Sequence, residues 1–139
     1  MADADDPTAI DSIAVTASDV ISAYEARDRS DKPAVLRVTP PFSGRMRARL
    51  HVAEHDAYDD PRPVHVDPEK LLEAAPPYPE PDEIEDELRA DPDAEYTTDR
   101  HHERYAAAVE DWRERAREAI ADEITLHSPE GRHRVSVTV

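Results

Sequence analysis

Residues 45–52 alternate strictly: Met46, Ala48, Leu50 and Val52 are apolar, and Arg45, Arg47, Arg49 and His51 stand between them. A two-residue period of this kind predicts a strand with one face on a core. The preceding run repeats it, with Ala34, Leu36 and Val38 on one side and Val35, Arg37 and Thr39 on the other. Residues 40–44, PPFSG, read as the connection, because prolines cannot donate to a ladder and Gly44 can adopt a positive φ. The expected product is a hairpin carrying a stripe of guanidinium groups on one face.

The rest of the chain follows from period and punctuation. Residues 1–12 are acidic, short of large apolar side chains, and expected to lack fixed structure. Ser18 reads as the cap of a helix over residues 19–29, with Val20, Ile21 and Tyr24 inward, and Lys32 and Pro33 end it. After a polar loop, residues 64–66 form a short third strand, and Asp67 and Pro68 open a helix that runs to residue 74. Residues 75–81, APPYPEP, hold four prolines in seven positions and must be an extended loop, serving as a spacer or a contact strip. Asp82 with Glu85 is a capping-box variant that opens a helix to residue 90.

The longest helix is expected after Thr97 and Thr98, with Asp99 in its first turn and its end near residue 123. Tyr105, Val109, Trp112, Ala116, Ile120 and Ile124 recur at three- and four-residue spacing along it. Asp111 with Arg115, and Glu110 with Arg113, support its opposite face. A second hairpin closes the chain: Ile124 and Leu126 alternate with Thr125 and His127, residues 128–131 spell a type I turn, and Arg132 and Arg134 alternate with Val135 and Val137. The fold class is therefore α+β, a single domain over residues 13–139 in which an antiparallel sheet built from two hairpins carries a long amphipathic helix on one face. Were the hairpins to join edge to edge, all their arginines could share one face.

Charge sharpens the picture. There are 33 acids against 17 bases, and only two of the bases, Lys32 and Lys70, are lysine. Yet the 20-residue window 34–53 holds four arginines and no acid, which leaves −20 on the other 119 residues of a chain whose net charge is −16. Acid-rich, lysine-poor, arginine-retaining composition suits a cytoplasm of molar salt, where carboxylates keep a surface hydrated. The segments TPPFSGRMRARLHV and RHHERYAAAVEDWRERAREAIADE resemble a small uncharacterised haloarchaeal protein family with no assigned activity, and the resemblance implies no cofactor or site residue. No run reaches the roughly 20 apolar residues of a membrane helix, and the first residues lack the pattern of a signal peptide, so a cytoplasmic protein is expected.

The candidate chemistry is narrow. Without cysteine there is no disulfide, thiol nucleophile or thiolate metal site. With Gly44 and Gly131 the only glycines, no phosphate-cradling glycine loop exists, and no cofactor is implied. The leading reading is a non-enzymatic binding or regulatory protein whose Arg37, Arg45, Arg47 and Arg49, joined by Phe42 at the loop tip and by Arg132 and Arg134, contact an anionic partner. An acidic protein, an RNA and a phosphate ligand all fit the fork of donors on guanidinium. The bland alternative pairs those arginines with the chain's own carboxylates, at ~0.2–1 kcal/mol for each exposed pair.

At ~1 M salt the Debye length is roughly 3 Å, so long-range attraction is lost, and extended duplex DNA is a poor partner for so acidic a surface. His51, Glu54 and His55 match the spacing of an inverted zincin, which keeps a small metal-dependent hydrolase as the enzymatic alternative. His101 and His102 point about 100° apart on a helix and are expected to be solvated or, for one of them, stacked near Tyr105. Exposed sheet edges and the proline-rich strip favour, as a third reading, an assembly subunit or homodimer.

Overall fold

A buried apolar face forms along residues 34–38 as the two-residue period predicts, whereas in residues 45–52 only Ala48 is buried and Leu50 and Val52 are each 39% exposed; strand pairing then decides the architecture. The structure, a computed structural model, describes residues 6–52, 63–128 and 131–139. It shows the expected α+β class, with two sheets and a 22-residue helix. The chain divides into two compact units, Met1–Ala74 with Ile120–Val139, and Ala75–Ala119.

In the first unit, β2 (Ala34–Val38) lies between β4 (Arg49–Val52) and β5 (Val64–Val66), antiparallel to both. Ala34, Leu36 and Val38 are fully buried, with Val64 and Val66 beside them. The second sheet has the order β3 (Arg45–Arg47), β1 (Ser12–Ala14), β7 (Gly131–Thr138), β6 (Glu123–Ser128). In it β1 runs parallel to both β3 and β7, and β6 pairs antiparallel to β7.

Two features depart from the hairpin expectation. Residues 45–52 are not one strand: the ladder leaves one sheet and enters the other at Ala48, which is 1% exposed and donates its N–H to the Ala14 carbonyl at 2.9 Å. The two hairpins also do not meet edge to edge, because β1 is inserted between them. The N-terminal stretch supplies that strand. Asp6 accepts the Thr8 N–H at 2.9 Å to cap a 3-10 turn over Pro7–Ala9, and Ile10 is fully buried just beyond it.

Helix α1 (Ala17–Ser30) starts two residues earlier than expected. Its cap is Thr16, whose hydroxyl accepts the Asp19 N–H at 3.1 Å, while Ser18 is already inside the first turn. At the other end Asp31 takes the left-handed conformation, φ 53°, and Lys32 donates back to the Ala26 carbonyl at 2.9 Å. Helix α2 is the single turn Pro68–Leu71, capped by Asp67 as its sequence predicts.

The second unit contains α3 (Pro81–Ala90) and α4 (Thr98–Ala119). Here Pro81 opens α3 with no side-chain cap, so the Asp82 and Glu85 capping box does not form. In α4 the buried positions are Val109, Trp112 and Ala116, the middle of the expected stripe. That helix ends four residues short of the expected boundary. Ile124 keeps its apolar role, but as a residue of β6, and the Ala121 N–H goes to the Leu71 carbonyl at 2.9 Å in place of a helical acceptor. The proline-rich segment lies along α4: Trp112 Nε1 donates to Pro76 O at 2.8 Å, and the Tyr78 ring packs 4.7 Å from the Trp112 ring. It is a contact strip within its own unit.

The two possible caps of α1 are separable. Thr16→Ala should lower stability by about 1 kcal/mol and Ser18→Ala by far less, as read from denaturant midpoints in molar KCl; equal effects would reassign the cap.

Candidate anion-binding site

The register of β2 places Arg37 directly between two cationic or titratable neighbours, Arg49 on β4 and His65 on β5. His51 stands opposite Val35 on the same face. Because side chains alternate, burying Leu36, Val38, Val64 and Val66 forces this opposite set outward. The rings of His51 and His65 stack over the sheet with centroids 6.0 Å apart. Arg37 Nη1 lies 3.4 Å from His51 Nε2 and 3.5 Å from its Nδ1, and where the guanidinium donates there the ring accepts on an unprotonated nitrogen. Arg37 Nε is buried and has no hydrogen-bond partner among the described residues.

At the seam between the sheets these groups border an open cleft of about 470 Å³, lined by Arg37, Arg47, Arg49 and His51 together with Thr39, Met46 and Leu50. No carboxylate is among the described residues that line it. Among the described residues Arg37, Arg45, Arg47, Arg49 and Arg132 form no ion pair. Elsewhere arginines do find acids: Arg27 reaches Asp67 at 3.4 Å, Arg104 reaches Asp91 at 3.6 Å, and Arg115 reaches Asp111 at 3.1 Å. The arginines of the first hairpin therefore form no ion pair with the described part of their own chain.

The remaining site residues are distributed as follows. Arg45 is exposed on β3 and shares the outer face of its sheet with Arg47, Arg132 and Arg134, since Ser12 of β1 is in register with both Arg45 and Ser136. Arg134 is committed to Glu123, to which its Nε donates at 2.8 Å, and the pair holds the Glu123 carboxyl below its usual range. Arg132 is exposed opposite His127. Phe42 corrects an expectation: it is 5% exposed, folded back into the core, and cannot serve as a contact at the loop tip. A lone aromatic between prolines gains more from burial than the loop loses by turning it inward.

Glu54 and His55 lie outside the described residues, and His51, the first member of that motif, belongs to the arginine cleft. His101 stacks on Tyr105 with rings nearly parallel, 6° apart, and its Nε2 lies 2.9 Å from Pro81 O. Among the described residues no three histidines or carboxylates stand together as a metal would require.

His65 is the member of the cleft face that sequence reading passed over. Its outward direction was visible, between buried Val64 and Val66, but its place opposite Arg37 depends on the pairing of β5 with β2. Burial, then the charges of Arg37 and His51, push its pKa below the usual histidine value. A depressed folded pKa means that the unfolded chain takes up the proton first. The corresponding stability is present above pH ~6.5 and is lost as the pH falls through the folded value. His65→Gln should therefore lose less stability than wild type between neutral pH and pH ~5, measured by urea denaturation; parallel profiles would remove His65 from the account.

No curated protein and no solved structure matches the chain, and no described helix is long and apolar enough to cross a membrane. The family model described as Domain of unknown function (DUF8009) matches residues 1–139, and the chain belongs to that family.

Proposed function

We propose that this member of the family is a non-enzymatic binding or regulatory protein that holds an anionic partner in its arginine-lined cleft. One observation carries the reading: Arg37, Arg47 and Arg49 border a cleft whose described lining holds no acid, and they form no ion pair among the described residues, in a chain of net charge −16. Two of them, Arg37 and Arg49, are directly opposite each other across strands. Like charges so placed disfavour folding, and an anion between them turns that repulsion into attraction. Guanidinium offers the short bidentate contacts that survive in concentrated salt, where attraction beyond ~3 Å is screened.

The setting we propose is a halophilic, haloarchaeal cytoplasm. The excess of acids and the near absence of lysine support it. Carboxylate self-repulsion then makes stability depend on salt, so the thermal midpoint should rise clearly from dilute buffer to molar KCl. An unchanged midpoint would reject the halophilic setting.

The binding role is tested by affinity capture from lysate in molar KCl, comparing wild type with a variant carrying Arg45→Gln, Arg47→Gln and Arg49→Gln. These side chains are exposed, so the fold should survive the exchange. A partner, protein or nucleic acid, should be recovered with the wild type and lost with the folded variant. Equal recovery would assign the stripe to structure alone.

A further inference from the structure

We infer that the ligand group of the cleft is a terminal phosphoryl group, an assignment that rests on the anion-binding reading above and narrows it. The count and placement of donors are the reason. Arg49 faces Arg37 across the β4–β2 ladder, and Arg47 reaches the same cleft from the neighbouring sheet, so donors converge from three strands. A carboxylate carries one charge and two oxygens, which one guanidinium fork satisfies. It would leave the other two cations facing each other across a shared cleft. A terminal phosphoryl group carries about −1.5 to −2 near neutral pH and three terminal oxygens, so it can accept from all three guanidiniums and outweigh their mutual repulsion.

The lining adds to this. Thr39 supplies a hydroxyl that can donate to a further oxygen, and no acid is among the described lining residues. The volume, about 470 Å³, accommodates a phosphoryl group with part of the molecule that bears it, while the groove is too confined for a duplex. Among the lining residues Met46 and Leu50 offer apolar surface to whatever the phosphate is attached to. Two sources share this chemistry, a small phosphomonoester and the phosphorylated end of an RNA strand.

The test is calorimetric titration of the full chain in molar KCl with inorganic phosphate and, separately, acetate. Phosphate should bind saturably and acetate at least about tenfold more weakly, and Arg37→Gln and Arg49→Gln should each raise the phosphate Kd by about tenfold or more. Arg49→Lys, which keeps the charge without the fork, should recover only part of the loss. Thermal midpoints of the variants separate misfolding from lost contacts, and Arg49, being exposed, is the substitution that leaves packing intact.

A nucleoside monophosphate is then set against a 5′-phosphorylated and a 5′-hydroxyl oligoribonucleotide. Tighter binding of the first identifies a small-molecule ligand, and a preference for the phosphorylated over the hydroxyl strand identifies an RNA end; both uphold the phosphoryl assignment. Acetate binding as well as phosphate, or a Kd indifferent to Arg37 and Arg49, overturns it. If lysate capture still depends on the arginines in that case, the phosphoryl assignment alone has failed; if capture is indifferent too, the anion-binding reading has failed with it.

Discussion

Ala48 is the constraint on which the first unit depends. At this residue one extended stretch must stop pairing with β1 and begin pairing with β2, and its N–H is still bound to the Ala14 carbonyl when it does so. The side chain is 1% exposed, which leaves no room for a larger residue without displacing the strands on either side. Alternation is kept through the seam, so Arg47 and Arg49 both flank the cleft though they belong to different sheets. Two-residue periodicity, which usually just separates core from solvent, here carries a row of cations around a corner.

The charge pattern gains meaning from that corner. Outside the cleft several arginines have a carboxylate within reach, as Arg89 has Glu85 at 3.0 Å and Arg134 has Glu123 at 2.8 Å. Such pairs are exposed and individually worth little. With 33 acids in the sequence, residues 34–53 contain none, and Arg37, Arg47 and Arg49 line one cleft. In the concentrated salt of the setting proposed above, the repulsion among them would be weakened.

Much of the fold was legible because burial enforces period. The strand pattern of residues 34–38, the outward set Arg37, Arg49 and His51, the cap at Asp67, and the stripe Val109, Trp112 and Ala116 all follow from one buried face. What was not legible depended on partners distant in sequence. A three-residue strand such as β1 has too few positions to display a period, so neither its insertion between β3 and β7 nor the division at Ala48 could be read locally. The choice of Thr16 over Ser18 turned on where the first helical hydrogen bond closed, two hydroxyls being equally eligible by type. The end of α4 was misplaced because Ile120 and Ile124 continue the apolar spacing across a boundary that a carbonyl in α2, Leu71 O, creates. Phe42 could face solvent or core from its loop, and only the folded chain shows it buried. His65 needed the register of β5, which a three-residue strand does not announce.

The cleft is also a statement about folding energetics. Arg37 and Arg49 oppose each other, His65 flanks Arg37, and burial with the neighbouring charges already disfavours the protonated form of His65. Each of these arrangements works against the folded state, and the buried faces of Leu36, Val38 and Val66 must offset them. An anion seated between the guanidiniums reverses the sign of several of these terms at once, and it also draws protonation of His65 toward its usual value by supplying the missing opposite charge. Binding and stability are thereby linked: a ligand that prefers the folded chain raises its stability in proportion to RT ln(1 + [L]/Kd). Under the proposed anion-binding role, the cluster would cost stability when empty and return it when filled, whereas a structural ion-pair network, complete within its own chain, would have no such reserve to release.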